Sequence, residues 1–315
     1  LGHELLAVPA APARPVELAR VHTERYLSEL EAFCAAGGGQ IDADTFAGPD
    51  SWTAAARAAG AGIAALDALE QQGDGVAFVA VRPPGHHARA DQAMGFCLLN
   101  NIAVAAASLT ARGARVLIVD WDVHHGNGTQ AMFWNDPGVL YLSTHQWPLY
   151  PGTGEAMEVG GPGAPGLTVN IPVPPGATGD VLEIAFEQVG RPAIERFAPD
   201  WVLVSCGFDA HRADPLGQLE LSSGDFARLA RLTAEFAPRP GRLALFLEGG
   251  YDATALRTSV TATLDALLGG SRPTERPTSG GPGRDHVDAA LAARRRAMDM
   301  AGGGDAPAGP QMSEP

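Results

Sequence analysis

Short aliphatic and β-branched runs alternate along the chain with longer stretches in which apolar residues recur at helical spacing. Val76–Val81, Arg115–Asp120, Val139–Ser143, Leu167–Ile171, Trp201–Ser205 and Leu243–Glu248 read as strands. Ser51–Leu69, Ile102–Ala111, Val181–Phe197, Ser222–Phe236 and Ala253–Leu268 read as helices, the fourth opened by Ser222 and Asp225 as a near-match to a capping box. This alternation predicts an α/β fold, a mostly parallel sheet flanked by helices on both faces. Trp201–Ser205 has no polar alternation, so it reads as a central strand covered on both sides.

The polar clusters that break the pattern fall just after the strands. PPGHH ends at His87, DWDVHHGNG starts at Asp120, STH starts at Ser143, CGFDAH contains Asp209, and EGGY ends at Tyr251. In parallel sheets the loops at the carboxyl ends of strands converge on ligands, so five such clusters predict one shared site. Asp120, Asp122 and His124 are spaced by two; if strand geometry continues through them, all three leave one face. Asp122 and His124, joined by Asp209, then offer three ligands to a divalent ion with a fourth position open for water and substrate. Buried charges at strand ends need partners, and an ion is one. Zinc is the expected ion, although the O/N/O set also accepts iron(II), cobalt or manganese.

His86 and His87 follow a rigid Pro-Pro-Gly turn, and each needs a partner on its far nitrogen to fix its tautomer. Asp120 and Asn127 are the candidates, one charged and one neutral, which would drive the two imidazole pKa values apart. Spacing does not say which pairs with which. Tyr251, presented by Gly249-Gly250, is a candidate oxyanion donor, while Gly95-Phe96 and Tyr150 are candidate walls of a narrow channel.

Composition narrows the picture. The 315 residues suffice for one large α/β domain, with 45% hydrophobic and 18% charged residues. Net charge is −14 and every basic residue is an arginine, so direct nucleic-acid binding is not expected. Cys34, Cys97 and Cys206 form no paired framework, which points to a reducing cytoplasm. No apolar run approaches membrane-spanning length, and the opening LGHELLAVPAAPA lacks the basic and apolar regions of a signal peptide. One catalytic domain is expected over residues 1–268, followed over 269–315 by a Gly/Pro-rich linker and tail with a helix near 285–300.

Taken in order, RPPGHHA, GFCLLNN, VDWDVHHGNGTQ, FWNDP, YPGTGE, GFDAHRADPLG and LEGGY closely resemble the histone deacetylase family, best its class II and bacterial amidohydrolase branch. The resemblance runs from the VHTERYL segment at His22 to about Leu268. It implies an arginase/deacetylase fold with about eight parallel strands and a metal-dependent deacetylase acting on acetylated proteins, peptides or small molecules. On it, Asp122, His124 and Asp209 are the zinc ligands, His87 the general base, His86 its electrostatic partner, and Tyr251 the transition-state donor. Asp120 and Asn127 stand behind the histidines. Phe96 and Tyr150 are channel walls, and Asp44 is a rim aspartate. Asp120, Ser143 and Thr144, with Asp122 and His124, match an inner potassium site, and Phe133, Asp136 and Val139 parts of an outer one.

Departures from the family also carry expectations. The family's first strand and the segment after it are not found at the start of this sequence. Tyr150 stands where phenylalanine is common, and Asn127 where class I enzymes have aspartate. Leu216 occupies the place near which polyamine-deacetylating relatives carry a glutamate, which favours acetyl-lysine over acetylpolyamine. A binuclear manganese hydrolase of the arginase type would need another carboxylate soon after His124, and His125-Gly126-Asn127 supplies none. A catalytically silent acetyl-lysine binding module is the non-enzyme alternative.

Overall fold

The computed structural model describes residues 5–270 and 275–302. Helices α1 (Pro15–Leu18) and α2 (Glu24–Ala35) precede a two-stranded ribbon, β1 (Gly39–Gln40) and β2 (Phe46–Ala47). Helix α3 (Ser51–Gln72), β3 (Ala77–Val79), α4 (Asn101–Thr110), β4 (Val116–Asp120), α5 (Asn127–Phe133), β5 (Val139–Gln146) and β6 (Thr168–Val173) follow. After them come α6 (Gly179–Ala185), α7 (Arg191–Phe197), β7 (Trp201–Cys206), α8 (Ser223–Ala234), β8 (Leu243–Leu247), α9 (Ala253–Leu267) and α10 (Arg284–Gly302).

Six strands pair in the order β3-β8-β7-β4-β5-β6, every pair parallel. The described residues thus carry six of the eight strands expected, and the outer edge of β3 faces a groove lined by residues 5–8 instead of a paired strand. From β4 the chain moves outward to β5 and β6, then returns to the other side of β4 with β7 and β8. The order therefore reverses at β4, where crossover loops part and leave a crevice at the strands' carboxyl ends.

The β4 and β7 runs are apolar throughout because both faces are covered. Leu117, Val119, Val202 and Val204 pack with residues of α6, α7, α8 and α10, while Val116, Ile118 and Leu203 pack with α3 and α4. The predicted helix Val181–Phe197 contains a π turn at Phe186–Gly190, immediately before Pro192. Proline has no N–H to close the α-helical bond there, and the wider turn absorbs the defect. Strand β5 runs on past Ser143 to Gln146, so Thr144 and His145 belong to the ladder.

The segment expected to be linker is tied down where it is described. Glu275 bonds His211 and Ser223, and Thr278 bonds Asp225 at the start of α8, where Ser222 and Asp225 form the capping box. The helix near 285–300 is present as α10. Residues 303–315 of the expected tail lie outside the described residues. No described helix is long and apolar enough to cross a membrane.

Candidate metal centre

Strand β4 ends at Asp120, as its apolar run predicts, so the extended geometry on which the shared face was conditional does not continue to His124. The Asp120 carboxylate accepts the Asp122 N–H at 3.2 Å and the Asp122 carboxylate accepts the His124 N–H at 2.9 Å. Short side chains bonding backbone two residues on replace the ladder with successive turns. Asp122 and His124 still face Asp209, which leaves the neighbouring strand β7 and accepts the Val123 N–H at 2.9 Å. The ligand atoms of Asp122, His124 and Asp209 lie within 4.8 Å of one another. His124 Nδ1 is 3.1 Å from Asp122 Oδ1 and 3.2 Å from Asp209 Oδ2.

Glycine permits this crowding. A Cβ at Gly249 would come within 2.0 Å of Asp209 Oδ2 and 2.7 Å of Asp122 Oδ2, while the Gly249 N–H itself donates to Asp122 at 2.8 Å. Burial and the nearby Asp122 charge push the Asp209 carboxyl well above its usual range. For Asp122, burial acts upward, but the His86 imidazolium and the His124 hydrogen bonds hold it well below. Two carboxylates this close, 0–1% exposed, resist sharing one ionised state without a cation between them. The buried N/O/O set therefore fits a divalent ion.

The histidine pairing left open by spacing is decided here. His86 Nδ1 meets Asp120 Oδ2 at 3.0 Å, and His87 Nδ1 meets Asn127 Oδ1 at 2.8 Å. For His86, burial disfavours charge, but Asp120, Asp122 and Glu248 outweigh it and raise the imidazole well above its ordinary value. Burial, then the charge on His86, lowers His87 well below. The two environments thus push neighbouring rings, centroids 4.0 Å apart, in opposite directions, His86 toward the charged form and His87 toward the neutral one.

Above the ligands lies a cavity of about 320 Å³ whose lining includes Asp44, Gly95, Phe96, Tyr150, Leu216 and Tyr251. Gly95 and Phe96 are both left-handed, with φ of 56° and 64°, and a Cβ at 95 would meet the His87 ring at 2.5 Å. Phe96 accepts this strained conformation while its N–H bonds Thr45 Oγ1 at 3.1 Å. Its ring packs edge-on to Tyr251, with centroids 5.8 Å apart, and Tyr150 packs edge-on to His87 at 5.2 Å. Burial and the Asp122 and Asp209 charges raise the Tyr251 phenol, keeping it a donor. Cys97 lies behind this wall with Sγ donating to the Gly95 carbonyl at 3.3 Å, and burial keeps it a thiol.

A sequence profile of the histone deacetylase domain matches residues 1–267. The chain belongs to the histone deacetylase family. It is 40% identical over 265 residues to a histone deacetylase-like amidohydrolase of Pseudomonas aeruginosa, covering 82% of this chain and 70% of that protein. It is 41% identical over 273 residues to a chloroplastic histone deacetylase 10 of Oryza sativa subsp. japonica, covering 82% of this chain and 62% of that one. The crystal structure of the HDA15 HD domain superposes with a TM-score of 0.85 at 37% identity, over 96% of this chain and 84% of that one. The six-stranded sheet accordingly has the arginase/deacetylase fold, and the chain is an enzyme of a hydrolase family.

Two further carboxylates bond the loops of this histone deacetylase-family site, and local pattern in the sequence gives neither a role. Glu248 accepts the Gly85 and His86 N–H groups at 2.7 and 3.1 Å and so holds the histidine loop. Burial pushes its carboxyl up to about 7, against the opposing pull of His86. Asp214 accepts the Tyr251 N–H at 2.6 Å with one oxygen and the Leu216 N–H at 3.0 Å with the other, joining the phenol to the opposite wall. An acid closing the apolar run of β8 and an acid two before Leu216 were visible signals. Their targets were not.

The expected potassium residues are distributed more simply. Asp120 lies opposite Ser143 in the β4–β5 register, and Ser143 Oγ bonds His145 Nδ1 at 2.9 Å. The buried Thr144 hydroxyl has no hydrogen-bond partner among the described residues. Phe133, Asp136 and Val139 form the turn between α5 and β5, where Asp136 accepts the Gly138 N–H at 2.8 Å.

Proposed function

We propose that this protein is a zinc-dependent deacetylase that hydrolyses the acetyl-amide of acetyl-lysine in proteins or peptides and releases acetate. The observation that carries the reading is the meeting of a neutral His87, a protonated Tyr251 and the Asp122–His124–Asp209 cluster at the floor of one aromatic-walled cavity. Asp122, His124 and Asp209 would hold the ion, which when bound polarises the amide carbonyl and acidifies water. The same ligands also suit iron(II) or cobalt. Asp120, Ser143 and the orphaned Thr144 hydroxyl are where a structural potassium ion would sit, beside Asp122 and His124 backbone.

His87 accepts the proton of the attacking water, and His86, kept cationic by Asp120, supports the negative charge that develops. Tyr251 donates to the oxyanion of the tetrahedral species, and the proton carried by His87 passes to the departing amine. Phe96 and Tyr150 grip an aliphatic chain edge-on and exclude water from it. Asp44, which lines the same cavity, would accept substrate N–H groups.

Leu216, 42% exposed at the cavity mouth, offers no charge to a distant ammonium, which supports acetyl-lysine over acetylpolyamine. One observation favours the polyamine reading: after burial itself, Asp44 and Asp42 raise the Tyr150 phenol, so the mouth carries negative potential. The three free cysteines are in keeping with work in a reducing cytoplasm. Acetate release from an acetyl-lysine peptide, compared with acetylspermidine and acetylputrescine, with and without chelator and alongside metal analysis, tests the reading. Faster turnover of the acetylpolyamines would replace the substrate assignment. Peptide binding without acetate release would replace the enzyme with a silent binding module.

A further inference from the structure

We propose that Met94 is a positioning residue whose thioether sets the orientation of the Asn127 amide and, through it, the tautomer of His87. The kinetic part of this inference rests on the deacetylase reading above. The two ends of a carboxamide have nearly the same shape but opposite hydrogen-bonding character, so something must decide which end faces His87. Here Asn127 Oδ1 faces His87 Nδ1 at 2.8 Å, while Asn127 Nδ2 donates to Met94 Sδ at 3.3 Å. A thioether has no hydrogen to give and can only accept. Turning the amide over would set its oxygen against the sulfur lone pairs, so Met94 disfavours the reversed orientation.

The orientation matters because an imidazole that is to act as a base has a single ring proton to place, and its Nδ1 partner decides where. With Oδ1 as the partner, that proton sits on Nδ1, and Nε2 keeps its lone pair for the proton of the attacking water. With Nδ2 as the partner, Nδ1 would have to accept, the proton would move to Nε2, and the ring would present a donor where a base is needed. The sulfur is itself held in place. Met94 and Cys97 exchange backbone hydrogen bonds of 3.1 and 2.9 Å, closing the turn that also carries Gly95 and Phe96. A carboxylate at position 127 would accept with either oxygen and need no such guide; an amide does.

The test is a double-mutant cycle on the zinc-loaded protein. Met94→Leu keeps the apolar bulk and removes the acceptor; it is expected to lower kcat about 10-fold, with KM and zinc content unchanged. In an Asn127→Asp background the same Met94→Leu change is expected to alter kcat by less than about 2-fold, because position 127 no longer has two different ends. An equal loss in both backgrounds would show a packing role and overturn the proposal. Nitrogen-15 spectra of the histidine rings supply a readout that needs no turnover. His87 is expected to be protonated at Nδ1 alone in the parent protein and to show a mixture of tautomers in Met94→Leu. Identical His87 spectra in the two proteins would overturn the inference even if the parent hydrolyses its substrate, and a tautomer shift would uphold it even if no acetyl-amide is turned over.

Discussion

The two ends of the same parallel sheet use charge in opposite ways. At the amino ends of the strands, Arg112 and Arg242 both reach Glu70, at 2.9 and 3.3 Å, and Arg115 reaches Asp200 at 3.6 Å, all at least partly in solvent. At the carboxyl ends, Asp120, Asp122, Asp209 and Glu248 are at most 1% exposed, and their carboxylates meet imidazoles, backbone N–H groups and the buried Tyr141 and Ser205 hydroxyls, with no arginine among the described partners. Surface pairs exchange water for each other and gain little, whereas buried carboxylates lose their hydration and must find a cation or hydrogen bonds. A fold tolerates the second arrangement only where rigid strands over-determine it, and the β4–β7 switch point is such a place.

The contrast can be broken at four points, taken in order of expected effect. Asp209→Asn should lose tight binding of the divalent ion, and its turnover should fall to the level of chelator-treated parent protein, measured by acetate release and elemental analysis. Retained activity without bound metal would dissolve the distinction between the ends. Tyr251→Phe should lower kcat by at least ~100-fold, the scale of a lost oxyanion donor, while its thermal midpoint stays near that of the parent. Unchanged turnover would remove the phenol from the chemistry.

Acid should weaken the carboxyl end through His22, which lies off the metal cluster. Its Nδ1 meets the Arg89 carbonyl at 3.0 Å, its Nε2 accepts the Asn100 N–H at 3.0 Å, and burial lowers its pKa to about 4. A depressed imidazole pKa means the unfolded chain binds the proton first. The neutral ring's contribution is therefore complete above about pH 6.5 and is lost as pH falls toward 4, by roughly 3 kcal/mol at most. Urea unfolding at pH 7 and pH 5 measures it, and His22→Gln should flatten that part of the profile. The smallest effect belongs to the amino end: Glu70→Gln should cost less than about 1 kcal/mol in the same assay and leave kcat unchanged.

The six main strands, the helices between them and the loops that meet were legible because each is written in local pattern: apolar runs, helical spacing, and polar clusters at strand ends. The strand is legible to its end at Asp120, but the condition that extended geometry continue to His124 is not met, for an equally local reason: an aspartate two residues before an N–H prefers to bond it. The role of Glu248 is not legible locally, because its targets, Gly85 and His86, lie 163 and 162 residues away and have no counterpart in its own neighbourhood. The role of Asp214, 37 residues from the Tyr251 N–H it holds, is hidden for the same reason.

What the chain's order of residues determined alone is the architecture and the chemical inventory: an α/β sheet, and acids, histidines and two tyrosines delivered to its carboxyl edge. Only the folded structure decided how these groups are paired, giving Asp120 to His86, Asn127 to His87 and a thioether to the Asn127 amide. Hydrophobic periodicity sets where elements run and which face is buried. The proton on a ring nitrogen depends on contacts of about 3 Å between loops that meet only after the sheet has closed.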